Sequence, residues 1–329
     1  MSTFATVRIT DVAPRDGLQN ESGVIPTTEK AELVRLLSAS GVDEVEVTSF
    51  VSPKWVPQLG DASDLFALLA ADLDAAKPDG VQWSVLVPNE RGMEAALAVN
   101  ERAHEQAGRP VIEKISVFTA ASESFSLKNT NASIEESVRR FAPVVAAAKE
   151  HSLRTRGYIS CIVECPYEGE VQPEKVGEVA HMLRELGIDE IDLGDTIGAA
   201  TPATLTPVLL AAMEALEGSP TTAFGEPSLT LHLHDTFGHA TECVREALTM
   251  GVRSFDGAAS GLGGCPYASV EGNRAPGNIS TESLVRSIED AGDTTRVNRA
   301  KLAHAAAFAE RIATGARMRA ATDRAGGGS

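Results

Sequence analysis

PEKVGEVAHMLRELGIDEIDLGD, residues 173–195, carries the fold in miniature. Residues 173–186 repeat their apolar positions at helical spacing, and Gly187 stops the pattern. The run 188–193 then alternates, with Ile191 and Leu193 on one face and Glu190 and Asp192 on the other. The same unit recurs along the chain. Strand-like runs lie at 6–12, 43–48, 81–87, 111–118, 155–163, 188–193, 228–234 and 252–257. Helical patterns lie between them at 27–40, 61–73, 90–101, 133–150, 173–186, 202–217, 239–250 and 281–291. Gly41 and Gly251 end helices as Gly187 does, Ser133-x-x-Glu136 reads as a capping box, and Thr201-Pro202 as a helix start. Eight alternations predict parallel βαβ units. A doubly wound open sheet would want a Gly-rich fingerprint after the first strand, and VAPRDGLQNE (12–21) is not one. The expected fold is therefore α/β, a (β/α)8 TIM barrel with a short C-terminal helical extension. Its expected organisation is a catalytic barrel over 1–292, an extension of the same domain over 293–319, and a tail without fixed structure over 320–329.

Composition narrows the function. Apolar residues are 43% and charged residues 23% of 329, with 28 Gly and 16 Pro, which excludes collagen-like, disordered and membrane-embedded classes. No window holds 18 uninterrupted apolar residues, and MSTFATVRIT lacks the basic and apolar regions of a secretory signal. Acids outnumber Lys and Arg by 46 to 29, a formal charge of −17. Such a surface repels phosphate backbones and anionic lipid, so neither nucleic acid nor membrane is an expected partner. An anionic substrate would need a locally basic site. Cys161, Cys165, Cys243 and Cys265 read as free thiols of a cytoplasmic protein rather than a disulfide framework.

Strand faces place the chemistry. Leu229, Leu231 and Leu233 share one face of SLTLHLHD, opposite Thr230, His232 and His234. Val45 and Val47 likewise oppose Glu44, Glu46 and Thr48. The apolar sets must face the helices, so the polar sets line the lumen, and their later members approach the C-terminal mouth where barrel enzymes work. Carboxylates and imidazoles converging there are costly unless hydrogen bonds or a cation satisfy them. His232-x-His234 puts two imidazoles on one face at a spacing a single metal accepts, with Asp16 and Glu46 nearby. Hydrogen-bonded core histidines are the plain alternative. Mixed imidazole and oxygen donors suit Mg2+ or Mn2+, with Zn2+ a poorer fit. GLGGCPY (261–267) sets Cys265 in a glycine-rich loop after the last strand, a place for a reactive thiol rather than a packing one.

Six segments then carry a resemblance: VAPRDGLQNE (12–21), EVTSFVSPKWVPQLGD (46–61), RGYISCIVECPYEG (156–169), LGDTIGAATP (193–202), HLHDTFGHA (232–240) and GLGGCPYA (261–268). In this order, over residues 7–310, they resemble the hydroxymethylglutaryl-CoA lyases of the DRE-TIM metallolyase superfamily. The resemblance implies Asp16, His232, His234 and Asn278 as ligands of a divalent cation. It further implies Arg15 on the thioester carbonyl, Glu46 supporting Arg15, Asp195 near the reacting hydroxyl, and Cys265 acting from the loop. Gln19, Ser49 and Asp192 join Arg15 as expected substrate contacts. His232, Asp16 and Asp195 all remain open as the general base. The implied reaction splits 3-hydroxy-3-methylglutaryl-CoA, or a close 3-hydroxyacyl-CoA, into acetyl-CoA and acetoacetate by a retro-Claisen step, and the implied assembly is a homodimer. A Claisen-condensing synthase of the same superfamily, acting on acyl-CoA and a 2-oxo acid, is the alternative. Two departures bear on the substrate. Asp192 stands where the family has serine, which predicts an added negative charge in the mouth. The Cys265–Asn278 spacing is also longer than the family's, and includes Asn273 and Arg274. Lys54, Lys128 and Arg274 are candidates to meet the phosphates of CoA.

Overall fold

The computed structural model describes residues 6–217, 228–263 and 277–326. Its elements follow the alternation. β1 (Arg8–Asp11) leads through a π-helical turn (Ala13–Gly17) to α1 (Thr27–Ala39) and β2 (Glu44–Ser49). Then come α2 (Ala62–Ala70), α3 (Leu73–Ala76), β3 (Gln82–Leu86), α4 (Glu90–Ala107) and β4 (Lys114–Ala120). α5 (Glu123–Thr130), α6 (Ile134–Arg140) and α7 (Ala142–Glu150) precede β5 (Arg154–Ser160). A small hairpin, β6 (Glu164–Cys165) and β7 (Gly169–Glu170), stands before α8 (Pro173–Leu186) and β8 (Glu190–Asp195). α9 (Pro202–Ala215), β9 (Leu229–Leu233), α10 (Ala240–Thr249), β10 (Ser254–Gly257), α11 (Thr281–Asp290) and α12 (Arg299–Gly326) complete the order. Eight strands close in the order β1-β2-β3-β4-β5-β8-β9-β10, with β10 returning to β1. Every pairing in the barrel is parallel. This is a (β/α)8 barrel with its helices outside.

Local chemistry explains the boundaries. Asn89 caps α4 by accepting from Gly92 N, and Thr201 with Thr204 closes a capping box on α9 ahead of Pro202. Gly187 ends α8 with φ 92°, a left-handed turn that glycine adopts without a Cβ penalty. Ser133 accepts from Glu136 N, but Glu136 turns its own carboxylate to Arg140, so only half of the expected box forms. The helical pattern over 133–150 is two helices, parted at Phe141 where Pro143 enters the first turn of α7. α5, the π-helical turn and the β6–β7 hairpin are additions to the expected elements. The tail is a correction. α12 runs on to Gly326 because RAATDR offers strong helix formers and no breaker before the terminal glycines.

The leucines and valines of the strands face the helices as expected. Val45, Val47, Ile191, Leu193, Leu229, Leu231 and Leu233 are all buried in the layer between strands and helices. Their neighbours in sequence fill the lumen with polar groups, and this lumen positions the site.

Candidate active site

The lower lumen holds a closed set of charges. Lys114 Nζ, from β4, donates to Glu44 at 2.5 Å and to Glu190 at 2.7 Å. Arg156, from β5, meets Glu190 at 2.6 Å and Asp256 at 3.2 Å. Thr230 donates to Glu190 at 2.6 Å. All of these side chains are buried, and the two cations offset the burial of the carboxylates around them. Glu190 is accordingly held well below the usual carboxylate range: burial opposes its ionisation, and Arg156 and Lys114 outweigh it.

The mouth is built differently. The π-helical turn after β1 stacks three N–H groups, those of Arg15, Asp16 and Gly17, on Val12 O, and sets Arg15 and Asp16 side by side at the rim. Arg15 Nε donates to Glu46 at 2.5 Å, and its Nη1 to Asp16 at 2.7 Å. Burial works against the guanidinium, but Glu46 and Asp16 outweigh it, so Arg15 stays charged. Burial would likewise raise Asp16, but Arg15 and then the two histidines hold it at about 2. At the end of β9, His232 Nδ1 lies 3.2 Å from Asp256, and His234 Nδ1 lies 2.8 Å from the carbonyl oxygen of Asp195. A carbonyl only accepts, so His234 carries its proton on Nδ1 and its Nε2 lone pair is free. Burial, and then the charge of His232, push His234 down to about 4. His232 is raised instead: burial lowers it, but the Asp256 carboxylate more than compensates.

Asp16, His232 and His234 each offer a ligand atom within 4.8 Å of the others. Asn278 joins them, its Nδ2 donating to Asp16 at 2.8 Å and to Leu262 O at 2.9 Å. Its Oδ1 is buried with no hydrogen-bond partner among the described residues. An orphaned oxygen beside a carboxylate and a neutral imidazole is a donor set that fits a divalent cation. Gly263 and Gly277, the two described ends of the glycine-rich loop, stand against this cluster. A Cβ on Gly263 would lie 2.6 Å from Asn278 Nδ2, and one on Gly277 would collide with Gly263 O. Only glycine permits this approach.

A cavity of about 730 Å3 opens above the cluster. Arg15, Asp16, Gln19, Ser49, His232 and His234 all reach it, so these expected residues meet in one place. Glu46 is buried behind Arg15, with its second oxygen unpartnered. Burial raises its pKa, and Arg15 only partly offsets this. Asp195 is placed nearby, but both its oxygens accept from backbone N–H groups, those of Ala199 and Ala200 at 3.0 and 2.9 Å. Burial raises it to about 6. Lys128 reaches the cavity wall, stacked 3.8 Å from the centre of the Tyr167 ring. Cys265, Asn273 and Arg274 lie outside the described residues.

Asp192 is a correction. It does not stand in the mouth against substrate. Its side chain lies beneath His232, fully buried, next to Asp256 and 3.6 Å from Arg156. Burial, and then the Asp256 charge, raise its pKa well above the usual range. The Asp192 carboxyl is thus buried beside Asp256 and does not line the cavity. Sequence reading also missed Lys114, Arg156, Tyr158 and Asp256. Strand alternation had the signal, since each sits on the lumen face two residues from another inward polar or aromatic group.

The family model described as HMGL-like matches residues 6–309. The chain belongs to this family. Within it, the chain is 45% identical over 302 residues to a mitochondrial hydroxymethylglutaryl-CoA lyase of Mus musculus, covering 92% of this chain and 84% of that one. It is 44% identical to the mitochondrial enzyme of Arabidopsis thaliana, spanning 92% of this chain but only 58% of that longer one. A Rattus norvegicus relative, 41% identical over 92% of this chain and 80% of its own, is named as cytoplasmic. Among solved structures, the HMG-CoA lyase of Brucella melitensis superposes with TM-score 0.81 at 41% identity, covering 94% and 99% of the two chains. An Acinetobacter baumannii HMG-CoA lyase in complex with coenzyme A and 3-methylmalate superposes with TM-score 0.80 at 29% identity, covering 94% and 92%. The HMGL-like fold and the residue group that could hold a metal therefore occur together in this chain.

Proposed function

We propose that this protein cleaves 3-hydroxy-3-methylglutaryl-CoA, or a close 3-hydroxy-3-alkyl analogue, to acetyl-CoA and a 3-oxo acid, acetoacetate in the parent case. The observation that carries this reading is the convergence of Asp16, His232, His234 and Asn278 beside Arg15 under one open cavity. Asp16, His234 and Asn278, with His232 beside them, would hold a divalent cation, Mg2+ or Mn2+ by the hardness of the oxygen donors. When bound, it supplies Lewis acidity toward the substrate's hydroxyl and carboxylate oxygens.

The chain's own groups do the rest. Arg15 is locked in place by Glu46 and Asp16, so its positive charge is preorganised toward the thioester oxygen, where negative charge grows as the C–C bond breaks. The hydroxyl proton needs a base. Asp16, at about 2, is too acidic to take it at neutral pH, and both oxygens of Asp195 are occupied by the backbone. His232 is raised above its ordinary value by the Asp256 carboxylate that backs it, and we assign it this proton. That leaves Asp16, His234 and Asn278 as the ligands that stay on the cation. Cys265 is assigned the final protonation of the acetyl carbanion. Gln19 and Ser49, at the cavity wall, are assigned to the acyl portion, and Lys128 to a phosphate of CoA. Barrel and C-terminal helix act as one catalytic unit in this reading, a cytoplasmic homodimer. Sedimentation in solution checks the assembly.

A panel of 3-hydroxy-3-alkylglutaryl-CoA thioesters, assayed in both directions with added Mn2+, tests the proposal. Release of acetoacetate from the methyl compound supports it. Acyl-CoA condensation with a 2-oxo acid and no cleavage would assign the chain to the synthases instead.

A further inference from the structure

The segment between the Arg15–Asp16 turn and α1 carries Gln19 and Asn20 into the cavity, yet from 19 to 24 its sequence is QNESGV, with little to bury. Leu18 and Ile25 anchor its ends. What holds its middle is the last third of α12. Arg317 Nε and Nη2 donate in parallel to the two oxygens of Glu21, each at 2.8 Å, the fork that guanidinium and carboxylate make best. The Glu21 side chain is 1% exposed and that of Arg317 is 39% exposed, so the cation reaches in from the rim to a buried acid. Two residues on, Gly23 passes so close to the helix that a Cβ would lie 2.0 Å from Ala316 O. Arg319 Nη2 then donates to Val24 O at 3.1 Å. Positions 21, 23 and 24 of the loop thus meet 317, 316 and 319 of the helix.

From the other side, Gln58 accepts from Ile25 N at 3.1 Å and donates to Gly23 O at 2.8 Å. The same helix braces the neighbouring edge of the mouth, where Ser260 Oγ donates to Glu310 at 3.3 Å. Ser260 stands in the left-handed region at φ 61°, two residues before Leu262, whose carbonyl receives Asn278. β1 and β10 are adjacent in the barrel, so α12 touches both of the loops that lead into the cation cluster.

We propose that Arg317 is a positioning residue for the reaction centre: through Glu21 it holds the β1–α1 loop so that Arg15, Asp16 and Gln19 meet substrate in register. Arg317 is partly exposed but Glu21 is buried, so removing the cation is expected to cost stability as well. A shift of about 1 Å at reacting groups can cost about 100-fold in rate. The pair is therefore expected to matter for turnover beyond its contribution to folding. The inference rests on the proposed cleavage reaction for its kinetic readout, and hydrogen exchange tests it without that reaction.

The test compares Arg317→Ala, Arg317→Lys, Glu21→Gln, the Arg317→Ala/Glu21→Gln double variant, and Arg299→Ala. Arg299 lies at the far end of the same helix, pairing with Glu289, and serves as the control. Each is assayed for kcat and KM with 3-hydroxy-3-methylglutaryl-CoA, for Tm, and for amide exchange over residues 15–24. Arg317→Ala is expected to lower kcat/KM by roughly 10-fold or more at a temperature well below its own Tm and to speed exchange over 15–24, while Glu21→Gln, which buries no charge, keeps Tm nearer the parent. Arg317→Lys should recover a large part of kcat, and the double variant should lose no more than the worse single one, since the two groups act as a unit. Arg299→Ala should resemble the parent. If the parent cleaves no thioester, the reaction assignment fails, while faster exchange over 15–24 in Arg317→Ala still upholds the clamp. Unchanged exchange there, or kcat/KM within twofold of an active parent, would overturn it.

Discussion

The two ends of the barrel lumen use the same residue types to opposite ends. In the lower lumen Lys114 and Arg156 lie among Glu44, Glu190 and Asp256, so each charge has an opposite charge beside it, although Glu44 Oε1 and Arg156 Nε make no hydrogen bond among the described residues. At the mouth, Asn278 Oδ1 has no hydrogen-bond partner among the described residues, both Asp16 oxygens are held by Arg15 and Asn278, and Arg15 and Asp16 face an open cavity. Buried charge that is paired internally acts as framework. Charge that also opens onto a cavity can meet a ligand. Glu46 and Asp256 join the two regions, since each supports a mouth residue from below.

That contrast can be broken from either end. The largest effect is expected in the lower lumen. Lys114→Met removes one of the two buried cations that Glu44 and Glu190 share, leaving them to Arg156, and should cost about 3–5 kcal/mol of stability, read from urea unfolding. A loss below about 1 kcal/mol would remove the framework assignment. Next, Arg15→Met should cost about 3 kcal/mol of transition-state stabilisation, seen as a fall of roughly 100-fold in kcat. Near-normal turnover would refute its role on the thioester oxygen.

A smaller effect concerns Asp11, at the end of β1, where Thr281 donates to it at 2.6 Å. Burial raises its pKa to about 7, against which its hydrogen bonds only partly act. In the unfolded chain it releases its proton near 3.8, and in the fold it keeps it to about 7. The unfolded state therefore binds fewer protons in this window, and stability should fall as pH rises through it. Asp11→Asn should flatten Tm between pH 4 and pH 7, and an unchanged slope would count against the assignment. The smallest effect belongs to Asp192→Ser. A carboxyl buried below the cavity predicts kcat and KM within about threefold of the parent, whereas an anion facing substrate would shift KM by roughly 10-fold or more.

The fold was legible because its determinants are local. Apolar alternation at 188–193 and 229–233, with left-handed glycines at 41, 187 and 251, predicts strand, helix and stop without long-range information. The same alternation aims His232 and His234 at the lumen, and the structure places both there. Depth along the strand was less legible. Asp192 and His232 both face inward, yet one lies below the cavity and the other opens into it, and barrel stagger decides this rather than spacing. The partners of buried acids were hidden for a similar reason. Lys114 is 70 residues from Glu44 and 76 from Glu190, and only closure of the barrel brings them together. The clamp of Arg317 on Glu21 spans 296 residues, and no local pattern marks either end.

The central claim is that the mouth cluster holds a divalent cation and uses it to break a C–C bond. The most direct measurement is acetoacetate release from 3-hydroxy-3-methylglutaryl-CoA by protein stripped with chelator, before and after Mn2+ is returned. No product when stripped, full turnover with Mn2+, and no recovery in Asp16→Asn is the expected result. Full turnover in the stripped protein, or none with Mn2+ restored, would contradict the account.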